Sequence, residues 1–116
     1  MWRYRATLVR VIDGDSLVID VDAGFYVTIR QHVRLAGIDT PELNARDPTA
    51  RALAQQARAR LTELLPTEFT VRTYKTRLAD KYGRFLADIE LADGRLVSDV
   101  LLSEGLGKPY AGGARG

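Results

Sequence analysis

The chain has 116 residues, of which 46% are hydrophobic and 28% are charged, and it contains no cysteine. This length suits one domain with one core, and the lack of cysteine excludes disulfides, thiolate nucleophiles and sulfur metal ligands. The formal net charge is only +2, so a charged partner would have to be recognised by local clusters of side chains. No apolar run approaches the roughly 20 residues of a membrane-spanning helix.

The first residues, MWRYRATLVRV, carry charges where a secretion signal needs an uninterrupted apolar stretch. We therefore expect a cytoplasmic protein by default, or a secreted one if this is a trimmed mature domain. The lack of cysteine is compatible with both compartments.

Apolar and polar residues alternate with period two in the first third of the sequence. This pattern predicts three strands, at about 4–12, 16–22 and 26–36. A turn is expected at residues 13–15 (DGD), because glycine tolerates a positive φ and aspartate can bond to its own downstream backbone. A second reversal is expected near residues 23–24.

The period becomes helical after Asp47, a typical N-cap residue that is followed by Pro48 at the first helical position. Pro66 ends this helix. The remaining elements predicted in chain order are strands at about 68–74 and 84–91, a short helix near 97–104 with Gly105 as its C-cap, and a loosely held YAGGARG tail, flexible from about residue 111.

Three strands, a helix, two strands and a helix follow one another without an internal repeat or a linker. Five short strands with a helix between the third and the fourth are compatible with a small Greek-key barrel of the OB type. We therefore predict an α+β protein, mainly β, that forms a single domain over residues 1–116. Periodicity does not determine whether the barrel closes.

Residues 72–84, RTYKTRLADKYGR, form a basic stretch in which Asp80 is the only acid. Tyr74 and Tyr82 are interleaved with the cations. Cations together with rings that can stack suit a partner that carries phosphate. A solvated loop is the alternative, and composition does not decide between the two.

Residues 33–42, VRLAGIDTPE, carry more charge than the end of a strand requires. If the first three strands form a meander, Asp39 could lie close to Asp15. Two carboxylates with a carbonyl group and water make a site for a hard cation such as Ca²⁺ or Mg²⁺.

Two arginines, Arg34 and Arg84, are placed to flank such a site. Two guanidinium groups and a cation around one phosphate would stabilise the transition state of phosphoryl transfer. Glu42 could position or deprotonate an attacking water. These residues together are the parts of a phosphodiesterase.

Four segments, IDGDS, RLAGIDTPE, DKYGRFLADI and DGRLVSDVLLSEGLGKPY, resemble the thermonuclease (staphylococcal nuclease-like) family in their order and separation. The resemblance runs through most of the chain. It implies a five-stranded OB-type barrel with flanking helices, metal-dependent hydrolysis of DNA and RNA phosphodiesters, and 3′-phosphate products. Ca²⁺ is the implied ion, although Mg²⁺ or Mn²⁺ would also suit two carboxylates.

The resemblance also implies a role for each matching residue. Arg34 and Arg84 would bind and neutralise the scissile phosphate, and Glu42 would serve the attacking water as its base or its orienting group. The residues implied to contact a neighbouring phosphate or sugar are Lys81, Tyr82 and Tyr110.

The same resemblance implies the cation site. Asp15 and Asp39 would ligate Ca²⁺ through their side chains, and Thr40 would do so through its backbone carbonyl. Asp13 would stabilise these ligands without contacting the ion itself.

A noncatalytic binding module on the same barrel is the main alternative. Such modules typically lack one or more of the two arginines and the glutamate, all of which are present here. A general OB-type single-strand binder is a weaker alternative, because the aromatic residues (8%) lie mostly outside the predicted strand centres. His32 is interpreted as a packing or surface residue. We expect a monomer that acts on DNA or RNA, without a membrane or an obligate protein partner.

Overall fold

The structure is a computed structural model and describes residues 2–73 and 84–110. Its elements are β1 (Trp2–Asp13), β2 (Ser16–Asp22), β3 (Thr28–Leu35), β4 (Gly37–Asp39), α1 (Pro48–Leu64), β5 (Glu68–Thr73), β6 (Phe85–Glu90), α2 (Val97–Ser103) and β7 (Lys108–Tyr110). The five longer strands and both helices were predicted, whereas β4 and β7 were not. The expected tail at 111–116 lies outside the described residues.

Five strands form a closed barrel in the order β1-β2-β3-β6-β5. All neighbours are antiparallel except β3 and β6, which run parallel. The barrel closes between these two strands through three residue pairs, from Val33 with Phe85 to Leu35 with Ala87. The predicted OB-type barrel is therefore confirmed, including the closure that periodicity left open.

The core fills the barrel with alternate side chains, as the period-two pattern requires. Leu17 and Ile19 of β2 and Leu35 of β3 are fully buried inside it. Helix α1 begins as predicted, with the Asp47 side chain accepting a hydrogen bond from the backbone N–H of Thr49 (3.3 Å). Neither described helix is long and apolar enough to cross a membrane.

Helix α2 ends in a tight reversal that directs the chain towards β4. The N–H of Leu106 donates to the carbonyl of Leu101, and the N–H of Gly105 donates to that of Leu102, both at 3.0 Å. This is a Schellman motif, in which Gly105 takes a positive φ of 74° one position after the cap residue, Glu104. The chain then forms β7, which pairs with β4.

Gly14 lies in the predicted turn between β1 and β2, but the reason we gave for it was wrong. The glycines with a positive φ are Gly24, Gly37, Gly94 and Gly105 among the described residues. A Cβ at Gly14 would instead lie 2.6 Å from the Cβ of Ala57 and 2.9 Å from the side chain of Thr40. A glycine is needed here because α1 and the segment after β4 approach the backbone closely.

Two further boundaries differ from the prediction. Strand β3 starts at Thr28 rather than near 26, because a turn closed by the Val27 N–H and the Gly24 carbonyl (2.9 Å) occupies residues 24–27. Arg72 belongs to β5 and not to the basic stretch after it. Its Nη2 lies 3.5 Å from the Asp88 carboxylate, so this arginine pairs with the neighbouring strand.

Candidate active site

Arg34 lies at the end of β3, where its Cα pairs with Ser16 of β2. Only 8% of the residue is exposed. Its Nη1 donates to the backbone carbonyls of Leu35 (3.1 Å) and Ile38 (3.2 Å). The short excursion of the chain after β3 therefore holds the guanidinium in one orientation.

Two carboxylates converge on the other terminal nitrogen of Arg34. Its Nη2 donates to Oδ1 of Asp39 at 3.3 Å and lies 3.5 Å from Oδ2 of Asp15. Asp15 lies in the turn immediately before β2 and Asp39 ends β4, so the structure brings together two acids that are distant in the chain. Asp15 is buried, whereas Asp39 is exposed.

Thr40 is held directly against Asp15. Its backbone N–H donates to Oδ2 of Asp15 at 3.0 Å. The hydroxyl of Thr40 is buried and has no hydrogen-bond partner among the described residues. A buried polar atom without a partner is costly in a folded protein, which marks this corner as one where a further polar group would be stabilised.

Asp13 adds a third acid close to Asp15. Its Oδ1 accepts a hydrogen bond from the backbone N–H of Asp15 at 3.1 Å. Burial raises the pKa of Asp13 to about 6, helped by the hydrogen bond with the Asp15 side chain and by its negative charge, while the positive charge of Arg84 opposes the rise. Asp13 and Asp15 thus concentrate negative charge on one side of the site. The positive charge of Arg84 is close enough to lower the pKa of Asp13.

The strand pair β4–β7 positions Tyr110 over this site. Gly37 pairs with Tyr110 and Asp39 pairs with Lys108. The Tyr110 ring faces Arg34, with 4.6 Å between the guanidinium carbon Cζ and the ring centroid. Tyr110 ends β7 and does not belong to the expected loosely held tail; a three-residue strand such as KPY carries no readable alternation from which it could be predicted.

The other residues expected at the site are Glu42, Lys81 and Tyr82. Glu42 is exposed, and its side chain makes no hydrogen bond or ion pair with any other residue within the described ranges. Its backbone carbonyl accepts from Ala45 N–H (3.1 Å) in the turn that leads to α1. Lys81 and Tyr82 lie outside the described residues.

His32, expected to be a packing or surface residue, lies on this face of β3. It is half-buried, and its Nε2 lies 2.8 Å from the buried hydroxyl of Ser16. His32 and Arg34 alternate with Val33 and therefore share one face of β3. Spacing by two from Arg34 within a strand was the sequence signal that could have placed His32 here.

A hard cation is compatible with these donors. Carboxylate and carbonyl oxygens are the ligands preferred by Ca²⁺ and Mg²⁺, and Asp15, Asp39 and Thr40 supply both types. Nowhere in residues 2–73 and 84–110 is there a group of three or more histidine, cysteine or acidic side chains arranged to hold a metal. Two carboxylates, a carbonyl and water are therefore what the described part of the chain can offer.

The fold and the site define an OB-type barrel protein with acids and a buried arginine at the exit of its third strand. A model of the Staphylococcal nuclease homologue family matches residues 32–114. The chain belongs to this family.

Two curated relatives are similar to most of the chain. The Thermonuclease of Staphylococcus hyicus is 29% identical over 101 residues, which cover 87% of this chain and 56% of that protein. The Thermonuclease of Staphylococcus intermedius is 33% identical over 99 residues, which cover 85% of this chain and 55% of that protein. The chain thus spans little more than half the length of the curated relatives it matches.

Proposed function

We propose that this protein is a metal-dependent nuclease that hydrolyses phosphodiester bonds of DNA, RNA or both. The observation that carries the proposal is the convergence of Asp15 and Asp39 on one nitrogen of the buried Arg34. The names of the two relatives agree with this activity.

Arg34 is suited to bind phosphate through one edge of its guanidinium. The hydrogens of Nη1 are directed to two backbone carbonyls, and no described residue accepts a hydrogen bond from Nε. Nε can therefore donate to a phosphate oxygen, and Nη2, which now donates to Asp39, would join it in the bidentate geometry that arginine favours once a bound cation attracts the two acids. Arg84 would supply the second positive charge at the same phosphate.

Asp15, Asp39 and the carbonyl of Thr40 would hold a Ca²⁺ ion, with Asp13 behind them. A bound cation would offset the charge of the phosphate and of the acids. Mg²⁺ and Mn²⁺ remain chemically suitable alternatives.

Glu42 would orient or deprotonate the attacking water. The exposed position of Glu42, clear of ion pairs with the described residues, leaves its carboxylate available for this task. Lys81, Tyr82 and Tyr110 would contact a neighbouring phosphate or sugar, and the products would carry 3′-phosphates.

The test is digestion of single-stranded DNA, double-stranded DNA and RNA by the purified chain with Ca²⁺, Mg²⁺, Mn²⁺ or chelator. Glu42→Gln and Arg84→Ala should each lower kcat at least a hundredfold. The matched controls are Glu63→Gln and Arg58→Ala, both on exposed positions of α1, and these should leave cleavage unchanged.

Product ends can be examined in the same assay. A 3′-phosphate blocks extension by a polymerase until a phosphatase removes it. Nucleic-acid binding without cleavage under any of the three metals would contradict the proposal and indicate a noncatalytic binding module.

A further inference from the structure

The end of the barrel away from α1 is rich in exposed apolar side chains. Trp2 and Tyr4, at the start of β1, are 47% and 36% exposed, and Ile29, near the start of β3, is 43% exposed. Phe25 and Tyr26, at the tip of the β2–β3 hairpin, are fully exposed. Trp2 and Tyr4 also line a cavity to which the two hairpin residues do not contribute, which indicates a binding surface at the start of β1.

A cavity of about 400 Å³ opens among these side chains. Its floor includes Ile19, Val33 and Val71, which belong to the barrel core. Its rim, which we call the barrel mouth, is formed by Trp2, Tyr4, Ile29, Gln31, Thr73 and Phe85. The cavity is thus the unfilled end of the barrel interior and lies between three aromatic rings.

The barrel mouth and the candidate active site share one wall. Val33 and Phe85 pair across β3 and β6 and line the cavity. Arg34 and Arg84 are their sequence neighbours, and alternation within β3 directs Arg34 to the outer face of this wall. A strand whose phosphate lies at Arg84 would therefore pass within one residue of the mouth.

Two polar side chains interrupt the apolar rim. Gln31 and Thr73 line the cavity, and neither the amide of Gln31 nor the hydroxyl of Thr73 makes a hydrogen bond with another described residue. An amide offers both donors and an acceptor, and a hydroxyl offers one of each kind. Flat rings with a few polar groups at their edge match the stacking faces and hydrogen-bonding edges of a nucleobase.

We propose that the barrel mouth binds one nucleobase of the substrate, stacked against Trp2, Tyr4 and Phe85. This inference rests on the proposed function, because the base belongs to the strand whose phosphate Arg84 would hold. A paired base cannot enter the cavity, so the site selects single-stranded or frayed nucleic acid.

Stacking, not charge, carries this binding. Arg3 and Arg5 alternate with the two rings of β1, but they pair with Glu90 (3.0 Å) and Glu68 (3.2 Å). Their charges are therefore largely offset. Binding of an uncharged nucleoside at the mouth should change little with salt, in contrast to binding of phosphates.

Trp2 is the only tryptophan of the chain, so its fluorescence reports on the mouth directly. The probes are free nucleosides, which lack phosphate, titrated in chelator into the wild type and into Arg84→Ala. Saturable quenching of Trp2 in both proteins, unchanged between low and high salt, is expected. Quenching by cyclohexanol but not by nucleosides would identify an apolar ligand and overturn the proposal. A change of Trp2 fluorescence with protein concentration alone would identify a second copy of the chain at the mouth and would also overturn it.

Variants separate the mouth from the surface around it. Tyr4→Leu keeps an apolar side chain without a ring, and it should weaken nucleoside binding about tenfold, as expected for the loss of one stacked ring. Gln31→Leu should also weaken nucleoside binding, and it should reduce the differences in affinity among the bases. Tyr26→Leu, at the hairpin tip, is the control that should leave binding unchanged.

Cleavage gives the second readout. Tyr4→Leu should raise KM for single-stranded DNA severalfold without changing kcat, and it should leave KM for duplex DNA unchanged. The proposal would be overturned if folded Tyr4→Leu kept the wild-type KM for single-stranded DNA and if nucleosides did not quench the fluorescence of Trp2. Failure of the proposed nuclease function is distinguishable, since then no substrate would be cleaved while nucleosides still quenched Trp2.

Discussion

The ring of Tyr110 lies over the guanidinium of Arg34, with the ring centroid 4.6 Å from Cζ. The chain therefore covers a buried cation with a residue from its last described strand. A cation over an aromatic face contributes about 0.5–2 kcal/mol, and more when the cation is removed from water. The pair links the order of β7 to the orientation of the side chain that would bind the phosphate.

Tyr110→Leu should loosen Arg34 and lower kcat for cleavage about three- to tenfold. Tyr110→Phe retains the ring and should keep kcat, so a rise in KM in this variant would report a contact between the hydroxyl and the substrate. Equal kcat in the Leu and Phe variants would show that the ring does not position Arg34. Steady-state kinetics on a short oligonucleotide are sufficient.

Arg34→Lys should lower kcat at least a hundredfold although the charge is conserved. An ammonium group cannot bond to two carbonyls, approach two carboxylates and still present a planar edge to phosphate. Arg30→Lys is the control, since Arg30 is an exposed residue of the same strand that pairs with Asp20 (2.8 Å). Circular dichroism should show that both variants are folded. Near-normal cleavage by Arg34→Lys would contradict the role of the planar guanidinium.

Gly14→Ala should destabilise the fold by about 1–3 kcal/mol, as overpacking usually does. The added methyl group would lie 2.6 Å from the Cβ of Ala57. Ala57→Gly alone should lower the free energy of unfolding by about 1 kcal/mol, as a glycine in a helix does. In the Gly14→Ala background, the same change should recover part of the lost stability. Urea unfolding of the two single variants and the double variant measures this coupling, and additive effects would exclude the clash as the cause.

Asp13→Asn should stabilise the metal-free protein at pH 7.5. The pKa of Asp13 is raised to about 6, so its protonation favours the folded state, and this contribution is complete below the ordinary pKa and lost as pH rises through 6. Asparagine imitates the protonated form. We expect the free energy of unfolding to rise by about 1–2 kcal/mol at pH 7.5, a value reduced for solvent screening. This gain should disappear near pH 4.

The control for this change is Asp22→Asn. Asp22 accepts a hydrogen bond from the backbone N–H of Gly24 at 2.9 Å, the same contact that Asp13 makes with Asp15, but at an exposed position. Urea unfolding in chelator at both pH values compares the two variants. A gain for Asp13→Asn that is equal at pH 7.5 and pH 4 would mean that the titration of Asp13 is not the cause of the gain.

Local signals in the sequence were sufficient for the elements that depend on neighbouring residues. The α1 start at Asp47 and Pro48 is an example, because a cap and a fixed φ act within one turn. A reversal was expected near residues 23–24, but the conformation of Phe25 and Tyr26 within it was not predictable. Both take a positive φ (54° and 60°), whereas turns of this kind usually contain asparagine and glycine.

The site depends on contacts between residues that are distant in the sequence. The need for Gly14 comes from Ala57 and Thr40, and the position of Tyr110 comes from β4. A three-residue strand has no period of its own, so its partner decides whether it forms. The identity of the charged residues could be read from the sequence, but not the burial of Arg34 or the exposure of Glu42.

The pairing of Asp39 with Lys108 also bears on how the protein acquires activity. The barrel strands β1 to β3 can meet through short hairpins, but β4 obtains its partner only after the chain has passed through two helices and two further strands. Contacts of such long sequence separation slow folding, as do those that join β1 to β5. During refolding, the recovery of cleavage should lag behind the formation of the β1–β3 hairpins, and catalysis would then report when the site is complete.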